Sequence, residues 1–316
     1  MKNRLPYFPV TTFAIVMGMT GLTIVSGKFA HNNWLPEIVN EIMLFITLGL
    51  FALILGFYGI KAILHPREAA ADFRHPIRIN FFSAISISFL LQAVAFMEYW
   101  PLLSKTFWWI GMLAHTFLMF YTISFWISHN FEIQFMNPAW FIPVVGNIIV
   151  PIAGVLYMPM EFNFFYFSVG FFFWVVLFTI FLNRAIFHQQ LPQKFIPTLF
   201  ILIAPPAIGF LSYLRLTDSM DFFALFLLCM GLFFFFLLPF LWKSFRKLKF
   251  FISWWAFTFP LDAITLATAQ AWENTGLVVF LYLSWIFLIL TISAILMVSW
   301  LTIGKIRQGE LCIKED

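Results

Sequence analysis

The sequence predicts an all-α integral membrane protein. Ten transmembrane helices are expected, built as five helical hairpins around a central pore. Three observations point there. First, 62% of the 316 residues are hydrophobic and only 10% are charged, with a mean hydropathy of +0.94; a soluble domain carries about 25% charged residues. Second, the apolar runs are long and continuous, unlike the short alternating segments of a membrane β-barrel. Third, the cations divide unequally between the two sides that ten spans create. Fifteen of the 18 Lys and Arg fall on the side of the termini, leaving only Lys28, Lys105 and Arg215 opposite. By the positive-inside rule both termini are cytoplasmic, in a cell inner (plasma) membrane. The net charge of +4 therefore reads as a topology signal, and no nucleic-acid partner is expected.

The chain opens on the short basic stretch MKNRLPYFPV. The apolar run after it is too long for a signal-peptide core and has no clear small-residue cleavage site, so it reads as a retained first span. The spans run roughly 9–30, 38–62, 77–97, 103–126, 138–157, 162–183, 195–216, 221–243, 251–271 and 277–303. The longest gap, between the second and third, is about 14 residues, so 1–316 is a single transmembrane domain. Cys229 lies in an apolar run and Cys312 in the charged tail, which suits neither a disulfide nor a metal site.

Odd and even spans differ in composition. The even spans hold 26 Phe and the odd spans 13. Interior prolines go the other way: Pro151, Pro205, Pro206 and Pro260 are all in odd spans. A proline removes one N–H and frees the carbonyl four residues back. In lipid such backbone belongs inside protein or beside a wet cavity. The odd spans thus read as an inner ring and the Phe-rich even spans as an outer one. Odd spans recur every 56 to 68 residues, so the repeating unit is a two-helix hairpin. Five such units about an axis leave a pore along it.

Several stretches then carry a resemblance. They are FAIVMG (13–18), HPIRINFFSA (75–84), NPAWFIPVVGN (137–147), APP (204–206) and WWAFTFPL (254–261). They lie in order in or at the edge of the five odd spans. The chain resembles the tellurite-resistance/dicarboxylate transporter family, which includes the slow anion channel of plant guard cells and its bacterial homologues. The resemblance implies five hairpins in a quasi-fivefold array, a homotrimer, and one pore per protomer lined by the odd helices. It implies a phenylalanine plug on the ninth helix, which maps to Phe259, with Phe257 as the other choice. The chain departs from the family pattern at Ala14, Val16 and Asp262.

The residues themselves suggest a path. Pro260 frees the carbonyl of Ala256 and biases Phe259 away from regular helix. Thr258, Asp262 and Thr265 share a helix face. An ionised carboxyl at mid-span requires water, a partner or a proton, so Asp262 is expected to hydrogen-bond Thr258 or a freed carbonyl. Pro151 frees the carbonyl of Asn147, whose side chain is a second candidate for the path. Gly18, Pro205 and Pro206 complete the expected pore-lining set. His75 and Arg78, at the cytoplasmic start of the third span, are candidates for attracting anions. Of six histidines only His115 is deep in a span, and it reads as a hydrogen-bonded packing residue. The expected function is an anion channel for small inorganic or organic anions in the lipid bilayer. The alternative is a proton-coupled carrier of malate-like dicarboxylate, sulfite or tellurite. No enzyme activity, cofactor or metal is expected, because there is no catalytic motif and no paired intramembrane His or Cys.

Overall fold

The computed structural model describes residues 4–246, 248–310 and 312. Lys2, Lys247 and Lys314, among the cations expected on the cytoplasmic side, lie outside them. Every regular element among the described residues is helical. The first pair is α1 (Phe13–His31) with α2 (Glu37–Leu64), followed by the short α3 (Pro66–Phe73). The second pair is α4 (Ile79–Phe96) with α5 (Pro101–Ser128). Next comes a broken segment: a 3₁₀ turn Pro138–Phe141, α6 (Ile142–Val145), a 3₁₀ turn Gly146–Ile149 and α7 (Val150–Gly154). It packs on α8 (Met160–Phe187). A long 3₁₀ stretch, Gln193–Ile203, then leads into α9 (Ala204–Thr217), which packs on α10 (Phe222–Leu237); α11 (Trp242–Phe245) follows. Last, a 3₁₀ turn Ile252–Phe257 leads into α12 (Thr258–Thr275), which packs on α13 (Val278–Gln308). Gly276 and Gly309 close α12 and α13 with φ of +67° and +69°, the left-handed conformation that favours glycine at a helix end.

Among the described residues eight helices are long and apolar enough to cross a membrane, and the expected spans 138–157 and 251–271 are not among them. Proline and charge account for both. Segment 138–154 carries Pro138, Pro143 and Pro151 and breaks into four short pieces. α12 begins only at Thr258 and holds Asp262 and Glu273.

Inner and outer segments are distinct in packing. Between 61% and 83% of the residues in the apolar stretches of Val10–His31, Ile79–Phe96 and Gln193–Thr217 are buried, against 28–33% in α2, α5, α8, Phe222–Phe245 and α13. The bulky phenylalanines follow this division: Phe45, Phe117, Phe172 and Phe233 point outward from α2, α5, α8 and α10. The buried segments touch one another in a closed order. α1 packs on α4, α4 on the 138–154 segment, that segment on α9, α9 on α12, and α12 back on α1.

A short helix away from water needs partners for its orphan carbonyls. In α7 neighbouring segments supply them. The Trp108 indole N–H donates to Val150 O at 2.9 Å, and Arg215 Nε donates to Ile152 O at 3.1 Å.

At one end of the bundle a charged cluster ties four segments. The Lys61 ammonium donates to Asp72 Oδ2 at 2.6 Å and to Phe8 O at 2.8 Å, and Arg78 Nη1 donates to Asp72 Oδ1 at 2.8 Å. Lys61 is buried there against the Tyr58 ring. At the other end Lys28 of α1 pairs with Glu273 of α12 and donates to Gln270 Oε1 at 2.8 Å.

Candidate functional site

Three of the buried segments change helix type at a proline. Pro151 stands in the first turn of α7, Pro205 and Pro206 in that of α9, and Pro260 in that of α12, each directly after a 3₁₀ stretch. The missing N–H costs little there, because the first N–H groups of an α-helix have no partner four residues back. The prolines therefore set where the tight 3₁₀ backbone gives way to α-helix. An eleven-residue 3₁₀ run such as Gln193–Ile203 is itself unusual.

These junctions surround a cavity of about 70 Å³. Its wall takes Ala14 and Met17 from α1, Phe81, Ala84 and Ile87 from α4, and residues from Phe141 to Ile149 of the broken segment. Ile201, Ala204, Pro205 and Ile208 come from the fourth pair, and Trp255, Ala256, Phe259 and Pro260 from the fifth. Every lining side chain is aliphatic or aromatic, apart from the Met17 thioether and the bare backbone of Gly146.

Of the residues singled out in the sequence, Phe259, Pro260, Ala256 and Pro205 meet at this wall. Phe257 does not. Its ring packs on Phe200 at 5.3 Å and on Trp254 at 6.0 Å, towards α13. Gly18, Thr258 and Asp262 are also off the wall, at the contact between α1 and α12. A Cβ on Gly18 would collide with the Thr258 hydroxyl, and one on Gly21 would lie 2.8 Å from Asp262 Cγ. The expected hydrogen bond from Asp262 is not made. Thr258 Oγ1 donates to Trp255 O at 2.8 Å, and neither Asp262 oxygen has a partner.

Asn147 is buried beside the wall residues Gly146 and Ile148, and its Nδ2 donates to Val144 O at 2.7 Å. Pro151 and Pro206 are buried in their first turns without lining the cavity. Arg78 is committed to Asp72, and His75 Nδ1 accepts from the backbone N–H groups of Ile77 and Arg78 at 3.1 and 3.3 Å.

Buried polar groups almost always find partners, so the exceptions are informative. Both side-chain polar atoms of Asn80, the Ser83 hydroxyl, Asn147 Oδ1, the Ser212 hydroxyl, His115 Nε2 and both Asp262 oxygens have none. Asn80 and Ser83 were missed in the sequence, although they sit in the HPIRINFFSA stretch at an i, i+3 spacing that marks one helix face. Among the described residues no three His, Cys, Asp or Glu side chains gather.

Fold and site together define a multi-pass helical membrane protein built around an internal apolar cavity. Residues 7–303 match the SLAC1 family, described as voltage-dependent anion channels, and the chain belongs to that family. It is 26% identical to an uncharacterized transporter of Methanocaldococcus jannaschii, over 98% of both chains. It is 28% identical to an S-type anion channel of Arabidopsis thaliana, over 83% of this chain but about half (52%) of the plant protein. A sulfite efflux pump of Arthroderma otae is 27% identical over 65% of this chain and 63% of the pump.

Proposed function

We propose that this chain is an anion channel of the inner (plasma) membrane, with both termini cytoplasmic, closed by Phe259. In this reading the eight long helices, the 138–154 segment and the segment from Ile252 to Thr275 make ten spans, arranged as five hairpins in a quasi-fivefold array. Each protomer of a homotrimer then has its own pore. The observation that carries the reading is the cavity: all five buried segments contribute to its wall, and Phe259 is part of that wall at a 3₁₀-to-α junction. An aliphatic and aromatic constriction excludes water and so excludes a hydrated ion. Moving one ring from a proline-marked junction is a small change with a large effect on that barrier. The family relatives named as anion channels support small anions as the cargo. Arg78 and His75, at the start of the third span, attract them to the cytoplasmic mouth. Anion flux into liposomes, wild type against Phe259→Ala, tests the plug.

One observation favours a second reading, a proton-coupled carrier. The Asp262 carboxyl is buried with neither oxygen answered, two residues after Pro260, and intramembrane carboxyl groups commonly serve proton relays. The relative named as a sulfite efflux pump is compatible with it.

A further inference from the structure

The cavity wall has one thin place. Gly146 lines the cavity, and beside it stands the imidazole of His115, contributed by the outer helix α5. A Cβ on Gly146 would lie 2.7 Å from His115 Cε1 and 2.9 Å from Nε2, closer than side chains pack. Only glycine leaves the ring this room.

His115 is completely buried. Its Nδ1 is 2.8 Å from Ser86 Oγ, and the Ser86 hydroxyl donates to Ser83 O at 2.9 Å. A serine has one proton to give, which assigns the Nδ1 proton to His115 and leaves the Nε2 lone pair bare. Nε2 has no partner in the protein. The elements packed around it bring no charge: α4, α6, α7 and the 3₁₀ turn Gly146–Ile149 contain no Asp, Glu, Lys or Arg. From α8 the Tyr166 hydroxyl reaches Thr116 Oγ1 at 2.8 Å and Met112 Sδ at 3.0 Å, on the residue after His115 and three residues before it. Besides His115, the ionisable side chains of α5 itself are Lys105, near its start, and the exposed Tyr121; His129 follows its last residue.

We propose that His115 is the counter-charge of the transported anion: a small monovalent anion occupies the cavity beside Gly146 while His115 takes up a proton on Nε2. The inference rests on the reading that anions cross this cavity. An anion there meets aliphatic and aromatic walls, and burying an unanswered charge is strongly unfavourable. An aqueous hydronium ion gives up one O–H bond and leaves as water while one N–H bond forms on Nε2, and the cavity gains an imidazolium against its anion. With both bound, the net charge of the cavity is unchanged. The sign follows directly. Anion binding requires the protonated ring, so it strengthens as pH falls and is lost as pH rises.

The test is calorimetric titration of nitrate into the wild-type and Phe259→Ala proteins in lipid nanodiscs, in two buffers of different ionisation enthalpy at pH 7.5. About one proton taken up per nitrate is expected, with affinity rising about tenfold per pH unit lowered, the slope that one linked proton gives. His115→Gln removes the charge, and uptake and pH dependence should both vanish; Asp262→Asn should retain both. Nitrogen-15 spectra of histidine-labelled protein read the same event without the His115 variant: nitrate should convert Nε2 from a bare to a protonated nitrogen. Nitrate binding without proton uptake, uptake that survives His115→Gln, or an unmoved Nε2 signal would overturn the proposal. If Phe259→Ala raises no flux while proton-linked binding persists, the plug assignment falls and the His115 site stands.

Discussion

Gly18 of α1 and Thr258 of α12 are packed so closely that a Cβ on Gly18 would lie 2.7 Å from Thr258 Cβ and collide with its hydroxyl. One turn on, Gly21 receives Asp262 in the same way. This contact closes the order of inner segments, and it fixes the start of α12, where Phe259 and Pro260 sit. Gly18→Ala is expected to destabilise the protein by about 1–3 kcal/mol through overpacking. Adding Thr258→Gly removes the colliding atoms, so the double variant is expected to be more stable than the sum of the singles by about 0.5–3 kcal/mol. Thermal unfolding in detergent measures all four corners of the cycle. Strict additivity would mean that the two helices do not meet as described.

The Lys61–Asp72–Arg78 cluster allows a second prediction. Asp72→Asn leaves the Lys61 ammonium buried without its counter-ion, a change that costs about 3–5 kcal/mol in comparable buried pairs. Adding Lys61→Met removes the stranded charge and is expected to recover most of the loss. Unfolding temperatures of the two variants check this. An Asp72→Asn protein as stable as wild type would show that water already reaches Lys61.

Much of this architecture was legible in the sequence, for physical reasons that particular residues show. The outward-facing phenylalanines of α8 and α10 and the prolines at 151, 205, 206 and 260 separate outer from inner segments, because lipid tolerates the former and excludes the broken backbone around the latter. The family was legible in HPIRINFFSA and WWAFTFPL. What those prolines do was not. They were read as kinks inside helices, whereas each stands in the first turn of an α-helix that follows a 3₁₀ stretch. Periodicity puts Thr258 and Asp262 on one face, but it cannot say that this face meets Gly18 and Gly21 rather than the cavity. His115 looked like a packing residue, since a lone histidine carries no pattern. Only the three-dimensional contacts reveal that one of its nitrogens is bonded and the other is not.

Asp262 separates the two functional readings. Because it faces α1 and not the cavity wall, Asp262→Asn is expected to leave folding and downhill anion flux little changed. In liposomes with an imposed pH gradient, a channel accumulates no anion against its own gradient, in wild type or variant. Uphill accumulation by wild type that disappears in Asp262→Asn would establish the carrier instead.

We propose that Phe259, and not Phe257, closes the path. The two rings are two residues apart, yet one borders the cavity and the other packs on Phe200 and Trp254. Truncating a ring that already borders a void leaves a hole that its kinked surroundings cannot refill. Current recordings on purified protein in planar bilayers, with nitrate or chloride as the permeant ion, read the consequence directly. Phe259→Ala is expected to raise anion conductance at least about tenfold, the factor that lowering a barrier by about 1.4 kcal/mol gives. Phe257→Ala is expected to lower stability without opening the path. A conducting Phe257→Ala beside a silent Phe259→Ala would contradict the account.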